Sequence, residues 1–342
     1  MITVYSEKHK LRDPRTELSG GKFITPMETP ARAETILASV RASDLGEVIE
    51  PTSHSLDPVM KLHDPEYLHF LETAWREWIE DGNSGEAIAE SWPARGDLCR
   101  KPETIVGKLG YYAHAAETSI TDGTWEAASA AVDVALTAQR RIADGDRAAF
   151  ALCRPPGHHA ARDLYGGYCF LNNAAIAAQA FLDQGAGRVA ILDVDFHHGN
   201  GTQSLFYDRD DVLFLSLHGD PAHAFPYYLG YADEAGRGRG EGANANYPLP
   251  PGTKYDRWEK ALDHACDRIT GFSPDSLVVS LGVDTFKRDP ISFFALESED
   301  YKLAGARMAR LDAPTLFVME GGYAVEEIGT NTVNVLLGFE GA

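Results

Sequence analysis

The sequence predicts an α/β protein of three layers: an open, mostly parallel sheet with helices on both faces. Three observations predict it. Runs such as "RVAILDVD" and "VLFLSLHG" are apolar without polar alternation, as strands covered on both faces must be. Amphipathic segments of helical length alternate with those runs, the signature of parallel pairing. No internal repeat or linker divides the 342 residues, so residues 1–342 are read as a single domain.

The elements follow in order. "MITVYS" reads as the opening strand, "ARAETILASVRAS" as a helix and "GEVIEP" as a second short strand. In "DPEYLHFLETAWREWIED", Tyr67, Leu68, Leu71, Trp75, Trp78 and Ile79 recur at helical spacing. From Gly82 to Lys108 the pattern lapses into Gly, Ser and Pro with isolated apolar residues. That is an inserted loop, about 82–108, of a length usually functional or disordered. "AAFALC" is a strand, and "NNAAIAAQAFLDQG" a helix capped by Asn172 and stopped at Gly185. After the two apolar strands, "GRGRGEGANANYPLPPG" (Gly236 to Gly252) is glycine-rich but joins no strand to a helix N-terminus. It therefore reads as a surface loop rather than a phosphate cradle. "KYDRWEKALDHACDRITGF" is an amphipathic helix before the strand "SLVVSLGVD". "EDYKLAGARMARL" is a helix before "TLFVMEGG", and a last helix closes the chain.

Composition narrows the function. With 31 basic and 51 acidic residues the formal charge is −20, which repels nucleic acid and attracts small cations while also serving solubility. No run of 18 apolar residues is present and the start "MITVYSEKHKLRDP" lacks an apolar signal core, so no membrane partner is expected. Cys99, Cys153, Cys169 and Cys266 are scattered without a C-x-x-C pair, as for reduced thiols in the cytoplasm.

In open parallel sheets, ligands gather beyond the carboxyl ends of the strands. There "AAFALC" leads to His158 and His159, "RVAILDV" to Asp195 and His197, and "VLFLSL" to His218. "SLVVSLGV" leads to Asp284, and "TLFVM" to Glu320 and then Tyr323. Asp195 and His197, two apart on extended chain, would share a face, and Asp284 could join them from another strand. One imidazole and two carboxylates with an open fourth position describe a catalytic divalent-metal site, most often zinc. Asp193 lies one step deeper on the same face, a candidate to orient a histidine or to bind a monovalent cation. His198, pointing the other way, and His218 and His223 read as structural or rim residues.

"RPPGHH", "GGYCFLNNAAIAA", "ILDVDFHHGNGTQ", "LGVDT" and "MEGGY" resemble, in order and spacing, the histone deacetylase superfamily. "LGVDTFKRDPIS", the opening "ITVYSEKHKLRDP" and the insertion resemble its acetylpolyamine amidohydrolase branch. The resemblance implies an arginase/deacetylase-like sheet and a zinc ion on Asp195, His197 and Asp284, with iron(II) or cobalt as substitutes. It implies His159 as general base and then acid, His158 as its electrostatic partner, and Tyr323 as donor to the oxyanion. Asp193 and Asn200 match the partners of the two histidines, Asn200 standing where many relatives carry Asp. Tyr168 and Phe225 match tunnel walls, and Ile291 the rim. Asp193, Asp195, His197, Ser216 and Leu217 match a structural potassium site, with a second near Phe206 and Val212.

The branch also implies a homodimer whose insertion narrows the mouth, admitting slender polyamines. Glu17 and Glu117 match acidic positions for the substrate's ammonium groups; Glu103 is a further candidate, and Trp92 either shapes the mouth or packs. The expected activity is removal of acetyl groups from N-acetylated polyamines or similar small cationic amides. Deacetylation of acetyl-lysine in proteins and non-catalytic binding of acetyl amides are the alternatives. A two-metal ureohydrolase would need further bridging aspartates, which "GVDTF" and "PPGHH" do not offer.

Overall fold

The computed structural model describes residues 1–93 and 100–342. The chain begins with β1 (Ile2–Val4), the two strands β2 (Glu17–Ser19) and β3 (Lys22–Ile24), α1 (Pro30–Arg41) and β4 (Val48–Ile49). Next come α2 (Asp57–Leu62), α3 (Pro65–Glu80), α4 (Ile105–Tyr112) and α5 (Thr124–Ala143). The central part alternates β5 (Ala148–Ala151), α6 (Asn173–Asp183), β6 (Val189–Asp193), α7 (Asn200–Phe206), β7 (Val212–Gly219) and β8 (Asn244–Leu249). The chain closes with α8 (Tyr255–Phe272), β9 (Ser276–Leu281), α9 (Ser298–Ala309), β10 (Thr315–Met319) and α10 (Val325–Glu340).

The sheet runs in the order β4-β1-β5-β10-β9-β6-β7-β8, with every neighbouring pair parallel. Strand alternation divides the core in two. Ala149, Ala151, Ile191, Val278, Leu316 and Val318 face α2 to α6. Ala148, Phe150, Leu192, Val279 and Phe317 face α1, α8, α9 and α10 on the other side. Both faces are thus buried, which is why these strands read as unbroken apolar runs. Asn172 caps α6 as expected, its Oδ1 accepting from the Ala175 N–H at 3.0 Å.

Two readings of the sequence are corrected and one helix is added to them. The stretch Gly236 to Gly252 is not all loop, because Asn244–Leu249 forms the edge strand β8 beside β7. Its two asparagines and a proline hide it, and Pro248 is tolerated because an edge strand needs no donor on its outer side. The loop read over about 82–108 ends sooner than Lys108, because a helix begins at Ile105. Thr104 caps α4, its Oγ1 accepting from the Gly107 N–H, and Ala87 pairs with Ile120. The 20-residue α5 had no counterpart in the reading, although its alanines are strong helix formers.

Cys153, Cys169 and Cys266 are free and buried, and Cys99 lies outside the described residues. Among the described residues no helix is long and apolar enough to cross a membrane.

Candidate active site

The ends of four adjacent central strands, β5, β10, β9 and β6, deliver the polar groups. Ligand atoms of Asp195, His197 and Asp284 lie within 4.8 Å of one another, all three residues buried. His197 Nδ1 stands 3.0 Å from Asp284 Oδ2 and 3.3 Å from Asp195 Oδ1. The convergence does not come from strand alternation, since β6 ends at Asp193 and residues 195–197 form a bend. Instead Asp193 Oδ1 accepts from the Asp195 N–H at 3.1 Å, and Asp195 Oδ1 from the His197 N–H at 2.8 Å. Two successive Asx turns curl the chain around one point. Gly321 N–H donates to Asp195 Oδ2 at 2.7 Å, and a Cβ on Gly321 would fall 2.5 Å from that oxygen. Only glycine lets β10 approach so closely.

The donor set fits a divalent cation. Burial, and then the charge of Asp195, pushes Asp284 up to about 7, so two carboxylates share a dry site that a cation would relieve. His158, Cys169 and Glu320 form a second buried group with ligating atoms. His158 and one oxygen of Glu320 are already engaged, however. His158 Nδ1 lies 3.0 Å from Asp193 Oδ2, and Glu320 Oε2 accepts from the Gly157 and His158 N–H groups at 2.7 and 3.1 Å.

The tandem histidines have contrasting environments. Burial opposes a charge on His158, yet Asp193 and Asp195 outweigh it and push its pKa up to about 10. His159 is held well below the usual imidazole range by burial and then by His158 and His197, with its bond to Asn200 opposing. That bond is short, 2.6 Å from His159 Nδ1 to Asn200 Oδ1. The two rings lie 4.0 Å apart. A Cβ on Gly167, at φ +57°, would sit 2.2 Å from His159 Cδ2, so the backbone there lies flush against the ring.

A cavity of about 370 Å³ reaches these groups. His159, His197, Tyr323, Tyr168, Phe225 and Ile291 line it, as do Glu17 and Glu117. Phe225 meets the His159 ring edge-on at 5.0 Å, and the Tyr168 and Tyr323 rings are 5.6 Å apart. Glu17 is buried, with Oε1 accepting from the Tyr168 hydroxyl and Oε2 from the Met27 N–H, both at 2.9 Å. Glu117 Oε1 accepts from the Gly167 N–H at 2.7 Å. Glu103 and Trp92 are exposed and do not line the cavity. Ser216 and Leu217 lie buried on β7, Ser216 in register with Asp193. Phe206 and Val212, at the far side of α7 and the start of β7, are also buried.

His198 and His218 are buried beside the site, with His198 Nε2 3.0 Å from Gln203 Oε1 and His218 Nδ1 2.8 Å from Ser216 Oγ. His223 sits on the cavity rim. Sequence reading missed the groups behind the site. Arg32 on α1 donates to the Glu320 and Gly322 carbonyls and to Glu28 Oε1, and lies 4.8 Å over the Tyr323 ring. The only local signal is a charged pair, Glu28 and Arg32, at helical spacing beside apolar neighbours.

Residues 26–339 match the histone deacetylase domain family. The whole chain is 58% identical to acetylpolyamine amidohydrolase 1 of Pseudomonas aeruginosa, over 99% of that protein. It is 56% identical to acetylpolyamine amidohydrolase of Mycoplana ramosa, with both chains fully covered. A crystal structure of acetylpolyamine aminohydrolase from Burkholderia pseudomallei superposes with a TM-score of 0.94 at 39% identity, covering 99% of this chain and 98% of that one. With sequence and overall fold in agreement over nearly the full length, the chain belongs to the histone deacetylase family, in its acetylpolyamine amidohydrolase branch.

Proposed function

We propose that the protein is a zinc-dependent hydrolase that removes acetyl groups from N-acetylated polyamines or similar small cationic amides. The observation that carries this reading is the cavity itself. His159, His197 and the Tyr323 phenol line it together with two carboxylates, Glu17 and Glu117, suited to a substrate that is an amide at one end and an ammonium elsewhere.

Asp195, His197 and Asp284 would hold the ion. When bound there, a divalent ion supplies Lewis acidity to a carbonyl and lowers the pKa of water toward about 7. The remaining work falls to the chain. A neutral His159, whose Nδ1–H donates to Asn200 Oδ1, presents the lone pair of Nε2 to the attacking water and takes its proton. General-base help of this kind contributes roughly 10²–10⁴-fold. His158, kept cationic by Asp193, holds positive charge beside the site without competing for that proton. The Tyr323 hydroxyl donates to the oxygen that gains charge, and His159 Nε2 then returns its proton to the leaving amine. Tyr168 and Phe225 wall the passage for the methylene chain of the amine, and Ile291 shapes the entrance.

The same reading includes a structural potassium ion at Asp193, Asp195, His197, Ser216 and Leu217, a second near Phe206 and Val212, a homodimer with a narrowed mouth and a cytoplasmic enzyme. The register of Asp193 with Ser216 supports the first potassium site.

A substrate panel tests the proposal: acetylputrescine, acetylcadaverine, acetylspermidine and an acetyl-lysine peptide, on protein loaded with a defined metal. Acetate release from the polyamines well above that from the peptide is expected. Equal rates would move the assignment to protein deacetylation, and metal uptake without acetate release would make this a binding protein.

A further inference from the structure

Tyr323 follows two glycines, and Gly322 adopts φ +133°, a conformation that L side chains rarely take. Such a segment has little stiffness of its own. Something else must set where the phenol points. Asp289, five residues beyond Asp284 in the loop after β9, is 7% exposed and does not line the cavity. Its Oδ2 accepts from the Tyr323 N–H at 2.7 Å, and its Oδ1 accepts from the Ile291 N–H at 3.1 Å. Its own N–H donates to the Phe286 carbonyl at 2.9 Å. One carboxylate therefore joins the loop that carries Asp284, the rim residue Ile291 and the backbone of Tyr323.

We propose that Asp289 is a positioning residue for the deacetylation, fixing the Tyr323 phenol against the reacting carbonyl and the Ile291 rim around the entering chain. The inference rests on the role given to Tyr323 above. It also accounts for a carboxylate rather than an amide at this position. Both oxygens accept from backbone N–H groups, whereas asparagine would offer one acceptor and set an NH₂ against the second donor.

The test is a kinetic cycle between D289N and Y323F in the full-length, metal-loaded protein, with acetylputrescine as substrate. A displacement of about 1 Å in a reacting group costs on the order of 10²-fold, so D289N is expected to lower kcat roughly ten- to a hundredfold. It is also expected to raise KM a few-fold through Ile291. In the Y323F background the phenol oxygen is gone. There D289N should change kcat by less than about threefold while its effect on KM persists. A merely structural role would give the same kcat ratio in both backgrounds, and that result, or unchanged kcat in folded D289N, overturns the proposal. D289E, which keeps both acceptors but displaces them, carries the same cycle if D289N does not fold. If neither variant folds, Asp289 is a fold-stabilising group and the proposal is wrong. Wild-type kcat in Y323F alone would instead defeat the reading of Tyr323 on which the proposal stands.

Discussion

Replacing Asn200 with aspartate tests the division of labour between the tandem histidines. Asn200 Oδ1 lies 2.6 Å from His159 Nδ1, so a carboxylate placed there puts a negative charge within about 4 Å of the imidazole's charge centre. At an effective dielectric of about 20, such a pair interacts by roughly 4 kcal/mol, or about three pKa units. The sign is definite. An anion favours the protonated imidazole and raises the pKa of His159, which burial and its cationic neighbours now hold down. As a base His159 works only when neutral, so the acidic limb of the kcat/KM profile of N200D should move to higher pH by up to about three units. Activity at neutral pH should fall accordingly. The assay is acetate release from acetylputrescine between about pH 5 and 10, with protein folding and metal content checked at each end. An unmoved limb, or one moved to lower pH, would refute the assignment of His159 as the base and leave His158 to take that role.

Three further outcomes are expected. Tyr323→Phe should lower kcat by about two to three decades, since losing one preorganised oxyanion donor costs roughly 3–4 kcal/mol, and a loss below about fivefold in steady-state assays would remove Tyr323 from the chemistry. Burial opposes ionisation of Glu28, but Arg154, Arg32 and Arg12 hold it down to about 2. Its contribution of about 3 kcal/mol is therefore present above the ordinary glutamate range and lost as pH falls toward 2, and acid unfolding of E28Q followed by circular dichroism should show that loss already at neutral pH. Glu117→Gln keeps an acceptor for the Gly167 N–H but removes a charge. Acting over roughly 8 Å, that charge is worth up to about 2 kcal/mol, so KM for acetylputrescine should rise about tenfold and that for a neutral acetamide should not, whereas equal shifts would exclude an ammonium contact.

The sheet was legible because burial on both faces leaves a local mark. β6, β7, β9 and β10 are buried at every position and mostly apolar, and no distant information is needed to see them. β8 was not, because its buried Asn244 and Asn246 find distant partners in Gln203 and Glu234 and Pro248 is tolerated at an edge, so the segment looks like loop. Titratable groups at the carboxyl ends of the strands were legible for the same reason, since charge is costly there and stands out against its apolar run. How Asp195 and His197 converge was not, because the Asx turns that aim them depend on which backbone N–H each carboxylate finds. Arg32, Glu28 and Asp289 were hidden for a further reason. Arg32 and Asp289 act on backbone groups far away in the chain, the Gly322 carbonyl and the Tyr323 N–H, which leave no trace in residue identity, and Glu28 meets the Arg154 side chain more than a hundred residues on.

In the proposed function, Asp195, His197 and Asp284 grip one divalent ion on which hydrolysis depends. The most direct measurement is metal content per chain, by elemental analysis after dialysis, for the wild type and for D195A, H197A and D284A, alongside acetate release. Close to one ion per wild-type chain is expected, with loss of both ion and activity in each folded variant. Metal retained in full by the variants, or acetate release from metal-free protein, would contradict the proposal.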